Sequence, residues 1–262
     1  MPATLLKPRA RRHARPVLES VAFGVPLDVG SFTDVGRVRA SNEDALLTLE
    51  AGQAGPLLVA VADGMGGHNA GEVASAIAIE SLSRFFDSRS ELADAVVQAN
   101  TSIWDAACAD VEREGMGTTL VCALVAASGE VTIANVGDSR AYAVADGDAR
   151  LVTVDHTWVT DQVRLGQLSE DEARHSPYRN LLTRSLGATP RVQVDVFSGL
   201  RLRLGDALVL CSDGVTPYLE PTDLSQVLSQ SQTAQQAAER LVKLAVRRGG
   251  ADNATAVVVR RT

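Results

Sequence analysis

The chain has 262 residues, 45% apolar and 22% charged, a composition that can bury the sizeable core of a soluble protein. Its 32 acidic against 25 basic residues leave a net charge of −7, which argues against a nucleic-acid-binding body. No apolar run reaches the roughly 18 residues of a membrane span. Cys108, Cys122 and Cys211 lack CxxC pairing, and the four histidines lack zinc-site spacing, so reduced thiols in an intracellular protein are expected.

In chain order, residues 1–16 (MPATLLKPRARRHARP) are basic without the apolar core of a signal peptide. They read as a tail, so residues 1–20 are set apart from one domain spanning 21–262. Strand-like runs follow at GRVRA (36–40), PLLVAVA (56–62), TTLVCALVAA (118–127), EVTIANV (130–136), RAYAVA (140–145), ARLVTV (149–154), RVQVDVF (191–197), ALVLC (207–211) and ATAVVVR (254–260). Several are separated by very short connections, which favours antiparallel pairing.

Helical spacing is carried by Ala74, Ala78, Leu82 and Phe85 within 71–87. A second helix is expected from a Ser90 cap to about Glu114, with Leu92, Val96 and Ile103 on one face. Two more, TDLSQVLSQ and AQQAAERLVKLAVRR, lie near the C-terminus. Residues 156–190, broken by Gly166 and Pro177, read as an irregular insertion that can face a substrate. Strands and helices in separate blocks imply an α+β fold, a central β-sandwich of two antiparallel sheets with helices on both outer faces.

Three Asp-Gly pairs provide an internal comparison. Asp146-Gly147 lies between two strand-like runs and is a hairpin turn. Asp63-Gly64 and Asp213-Gly214 follow apolar runs but lead into no second strand. Asp138 follows VTIANVG, and Asp252 precedes the last run. Four carboxylates gathered at one sandwich rim would repel one another unless protonated or neutralised by a cation. Oxygen donors select Mg²⁺ or Mn²⁺. The missing side chain of Gly64 would let a backbone carbonyl approach such an ion. In RVRASNEDALL, the cluster Arg39, Glu43 and Asp44 reads either as a solvated charged turn or as a phosphate grip with two carboxylates orienting water.

Seven segments, in order, resemble the metal-dependent Ser/Thr protein phosphatases of the protein phosphatase 2C (PPM) family, bacterial type. They are RASNED (39–44), VADGMGGHNAGE (61–72), GTTL (117–120), NVGDSRAY (135–142), HSPYRNLLTRSLG (175–187), LVLCSDGVT (208–216) and ADNATAVVV (251–259). The resemblance implies a four-layer αββα catalytic domain hydrolysing phosphoserine and phosphothreonine, with residues 156–190 as its flap. It implies two Mn²⁺ or Mg²⁺ ions at the core and a third, weaker one. Asp63 would bridge the core pair, the Gly64 carbonyl would bind one ion, and Asp213 and Asp252 would complete the other's shell. Asp138 with Asp213 would hold the third, Glu43 would act through water, and Arg39 would bind the phosphate.

Many eukaryotic members have His after this Asp-Gly as general acid. Met65 stands there, so the acid is unassigned, with His68 the nearest substitute. Thr118 and Thr119 read as strand residues near the site. Without a following GK[ST], the glycines 66, 67 and 71 are no nucleotide loop. The expected setting is a cytoplasmic monomer acting on phosphorylated proteins, substrates of a bacterial Ser/Thr kinase, with no nucleic acid. The alternatives are a pseudophosphatase binding module, which should have lost a metal acid, and a metal-dependent phosphodiesterase, which should carry a basic stripe.

Overall fold

The computed structural model describes residues 27–50, 56–66, 70–86 and 91–262. The basic N-terminal segment, Ser90, His68 and the side chain of Phe85 lie outside them.

Two antiparallel sheets face each other. One has the order β1–β11–β10–β7–β8, formed by Leu27–Asp34, Ala254–Arg261, Ala207–Cys211, Arg140–Ala145 and Asp148–Leu151. The other has the order β2–β3–β5–β6–β9, formed by Asp44–Glu50, Leu57–Met65, Leu120–Val125, Glu130–Val136 and Asp195–Arg201. The short β4, Gly117–Thr118, pairs with the end of β3. Helices α1 (Ala70–Phe86) and α2 (Leu92–Ala109) cover the second sheet, and α5 (Pro221–Ser229) and α6 (Ala234–Arg248) cover the first. Between β8 and β9 lie α3 (Trp158–Arg164) and α4 (Glu170–His175).

Three buried layers hold these elements. Val59, Val61, Val121, Ile133, Leu208, Leu210 and Val257 fill the space between the sheets. Alternate residues of the same strands face outward: Leu58, Ala60 and Ala62 meet Ala74, Ala78 and Leu82 of α1. On the other side Val209, Ala256 and Val258 meet Ala238, Leu241 and Ala245 of α6. Both faces of the central strands are therefore apolar, which explains their unbroken Val- and Leu-rich runs. This is the αββα sandwich expected from the motifs.

Several local expectations are corrected. Residues 36–38 of GRVRA form a turn. The strand that precedes it, β1, and the one that follows, β2, were not expected, although Leu27 and Val29, and Leu47 and Leu49, alternate with polar residues and face the same layer in each case. Helix α2 starts after Glu91, with no side-chain cap bond, and ends at Ala109. Asp110 instead caps a single 3₁₀ turn, accepting from the Glu112 amide at 3.1 Å. Strand β9 begins at Asp195 rather than Arg191, and β8 ends at Leu151. Asp146, at φ 52°, and Gly147, at φ 80°, form the expected tight hairpin.

Candidate active site

Antiparallel pairing puts strand starts beside strand ends, and one rim of the sandwich collects the acidic residues. Asp44 at the start of β2 pairs directly with Asp63 near the end of β3. Asp213 follows β10, Asp252 precedes β11, and Asp138 lies in the turn between β6 and β7. Asp63 and Asp213 carboxylates are within hydrogen-bonding reach of each other. Burial, followed by repulsion from Asp44 and Asp213, pushes Asp63 well above the carboxylate range. Burial and neighbouring acids likewise raise Asp213, and raise Asp44 and Asp138 to about 7.

Asp44 has defined partners on one oxygen only. Its Oδ2 accepts from Ser212 Oγ at 2.8 Å and from Thr255 Oγ1 at 2.6 Å. Thr255 in turn meets Thr33, which accepts from Asn42 Nδ2 at 2.8 Å, so the hydroxyl protons are ordered toward Asp44. Asp44 Oδ1 is buried with no partner, a costly arrangement for an anion that faces solvent or an ion in no other way.

The backbone around Asp63 is pinned from three directions. Its carbonyl accepts from the Thr119 amide and from Thr118 Oγ1, both at 2.9 Å, and its amide donates to Thr119 Oγ1 at 3.1 Å. Thr118 ends β4 as expected, whereas Thr119 lies between β4 and β5, and the polar atoms of both hold an acid in place. A Cβ on Gly64 would sit 2.1 Å from the Gly71 carbonyl oxygen, so Gly64 is required by backbone packing, a reason different from ion access. The space beside the Gly64 carbonyl depends on Gly71. A Cβ there would come within 2.8 Å of Glu43 Oε2 and 2.9 Å of the Gly64 carbonyl oxygen. Those two oxygens therefore border a space kept open by a missing side chain.

The Arg39 loop is held by Asn253. Its Nδ2 donates to the carbonyls of Val35 and Ser41, both at 2.9 Å, and its Oδ1 accepts from the Glu43 amide at 2.8 Å. Arg39 Nη2 donates to Asp252 at 2.8 Å, and this ion pair raises the Arg39 pKa. The guanidinium is half exposed, at 50%. Arg140 forms a two-pronged pair with Asp155 at 2.7–3.1 Å beside Asp138. Asn253, Arg140, Gly71, Ser212 and Thr255 had no assigned role in the sequence. All five stand inside the seven family-like segments, and only their three-dimensional partners distinguish them.

The carboxylates are neighbours rather than a closed cage: among the described residues, no three Asp, Glu, His or Cys side chains already surround one ion-sized point. The donor chemistry nevertheless fits a hard divalent cation, being all oxygen, with an orphaned carboxylate oxygen and the Gly71 cradle beside it. Cys122 and Cys211 are buried in strands, their thiols pushed up to about 12 by burial, and neither is a thiolate nucleophile. The segment between β8 and β9 carries exposed Leu165, Tyr178 and Leu181, with Tyr178 edge-on to Trp158 at 5.4 Å.

A family model described as protein phosphatase 2C matches residues 36–248. The chain belongs to the protein phosphatase 2C family. Within this family, the serine/threonine phosphatase stp of Listeria monocytogenes is 38% identical over 239 residues, spanning 87% of this chain and 94% of the relative. The crystal structure of Stp1 from Staphylococcus aureus matches with a TM-score of 0.83 and 35% identity, covering 91% of this chain and 96% of that one. The catalytic domain of the phosphatase PstP, in complex with 2 manganese ions, matches with a TM-score of 0.75 and 35% identity, over 89% and 97% of the two chains. This protein phosphatase 2C is thus an enzyme, a Ser/Thr protein phosphatase by family. No described helix is long and apolar enough to cross a membrane.

Proposed function

We propose that this protein phosphatase hydrolyses phosphoserine and phosphothreonine in proteins, using water as the nucleophile and divalent cations as cofactors. The observation that carries the reading is the crowding of Asp63, Asp138, Asp213 and Asp44 at one rim, each raised by burial or by the others. Asp63, the Gly64 carbonyl, Asp213 and Asp252 would hold two ions, and Asp138 with Asp213 a third. The PstP catalytic domain carries two manganese ions. Mn²⁺ or Mg²⁺ bound here would supply water activation near neutral pH and charge neutralisation on the phosphate.

The chain's own groups do the rest. Glu43, beside the Gly71 cradle, and the orphaned oxygen of Asp44 would orient water. Arg39, half exposed and at the rim, would leave Asp252 and present its fork to the phosphate oxygens. The hydrophobic flap residues Leu165, Tyr178 and Leu181 would contact the protein around the phosphorylated residue. The general acid stays unassigned, and His68 lies outside the described residues. A non-catalytic binding module is disfavoured because every acid of the set is present. The substrates would be phosphoproteins made by a Ser/Thr kinase, met by a monomer in the cytoplasm.

Release of phosphate from phosphothreonine peptides, measured with Mn²⁺, Mg²⁺ or chelator, tests the reading beside Asp213→Ala. Cation-dependent turnover lost in the variant is expected. Turnover that survives chelation and the substitution would overturn it.

A further inference from the structure

We infer that His156 is a positioning residue, a neutral imidazole held in one tautomer by the Asp195–Arg184 pair so that it fixes the turn carrying Asp138. The inference rests on the reading of Asp138 as a cation-holding residue. His156 is 1% exposed and lies between the Asp138 turn, the base of the flap and β9. Its Nδ1 accepts the Gly137 N–H at 3.0 Å, and its own N–H donates to the Gly137 carbonyl at 3.0 Å. One residue therefore grips Gly137 by both backbone groups. Gly137 sits at φ 105°, and a Cβ there would come 2.6 Å from Thr119 Cβ. The next residue is Asp138.

A backbone N–H can only donate, so Nδ1 must be bare and the ring proton must sit on Nε2. Nε2 lies 3.1 Å from Asp195 Oδ2, a short contact without full hydrogen-bond alignment. The opposite Asp195 oxygen accepts from Arg184 Nη1 at 2.6 Å. A carboxylate facing Nε2 favours a proton there and repels a lone pair. Burial raises Asp195, but bonds from Arg184 and His156 outweigh it and keep it ionised. Burial lowers His156, with Asp195 and Asp155 opposing and Arg184 assisting, so the ring is neutral. The His156 carbonyl also accepts from the Thr183 amide at 2.9 Å, which ties the same residue to the flap. His156 acts through Gly137, as outer-shell partners orient the groups that do chemistry.

The decisive change is Asp195→Asn. Arg184 donates to the residue at 195, so the amide oxygen must face Arg184 and the amide NH₂ must face Nε2. The ring proton then moves to Nδ1, against the Gly137 N–H. Nitrogen-15 NMR of the imidazole in the unsubstituted protein should show protonated Nε2 and bare Nδ1. Protonated Nδ1 would overturn the inference regardless of any variant's folding, and regardless of whether Asp138 holds a cation.

In Asp195→Asn the tautomer should invert and the Gly137 amide resonance should move. Mn²⁺-dependent turnover should fall by about tenfold or more. In His156→Asn the side-chain oxygen can replace Nδ1 as acceptor, so this variant should recover most of the loss seen in His156→Ala. Adding Asp195→Asn to His156→Asn should cost nothing further, because no tautomer remains to invert. An Asp195→Asn loss that persists in full in the His156→Asn background, or a Gly137 amide unmoved by Asp195→Asn, would overturn the inference.

Discussion

Asp63 and Arg39 show how a single side chain divides between stability and function. Asp63 is buried beside Asp44 and Asp213, and its charge is opposed by burial and by the neighbouring acids Asp44, Asp213 and Asp138. Asp63→Asn should therefore raise the melting temperature of the cation-free protein at pH 8 while lowering turnover by about a hundredfold or more. Calorimetry with chelator, beside a phosphopeptide assay, checks both halves. A cation-free variant less stable than its parent would contradict the repulsion argument. Arg39 pairs with Asp252 where both side chains are partly exposed, 50% and 34%. Such a pair contributes about 0–1 kcal/mol, so Arg39→Ala should leave the denaturant midpoint almost unmoved. Its kcat/KM on phosphopeptides should fall by about tenfold to a thousandfold if the guanidinium grips phosphate. Equal loss of stability and activity would instead make the residue structural.

Helix α6 is the element whose sequence and surroundings agree most fully. Its Thr233 cap accepts from the Gln236 amide at 3.1 Å, and its buried stripe is Ala234, Ala237, Ala238, Leu241, Val242 and Ala245. Small residues predominate because the helix lies close on β1: a Cβ on Gly30 would sit 2.1 Å from the Gln235 nitrogen. Gly30→Ala should cost about 1–3 kcal/mol, since backbone rather than a mobile side chain would have to give. Leu241→Ala, at a fully buried position, should cost about 2–5 kcal/mol. Urea titrations of both variants check these values, and a Gly30→Ala chain as stable as its parent would show that α6 can slide. The 3.6-residue stripe of α6 was legible in the sequence because its outer face is polar. Helix α2 was less legible at its ends, since Glu91 makes no cap bond and the chain after Ala109 keeps a turn of 3₁₀ geometry.

At the scale of the whole molecule, the acidic rim sets the pH response. Asp44 and Asp138 titrate near 7 in the cation-free fold against about 3.8 when unfolded. The fold therefore holds protons that the unfolded chain has released, and stability falls as pH rises from about 4 to 7. His156, held low by burial, works in the opposite direction, its contribution lost as pH falls. It is one group against the acids of the rim. A cation held by the rim acids would compete with protons for the same oxygens, so the rise in melting temperature produced by Mn²⁺ should be larger at pH 7.5 than at pH 5.5. Melting curves with and without Mn²⁺ at the two pH values measure this. An Mn²⁺ effect that is independent of pH would place the ion away from the buried carboxylates.

The amino-acid sequence by itself determined the class of the fold, the family and the positions of the rim acids. Runs such as LLVAVA and ALVLC must be buried on both faces, and an Asp that ends such a run without a hairpin is forced to the edge of a layer. Tertiary structure alone decided what those acids touch. It matched β2 to β3 so that Asp44 lies opposite Asp63, and it set Gly71 against Glu43 and Gly64. It also aimed Asn253 at three backbone groups of the Arg39 loop and closed His156 over Gly137. Local periodicity registers which side of an element is buried. It carries no record of which distant backbone atom a polar side chain will meet, because that depends on strand register and layer packing across the whole chain.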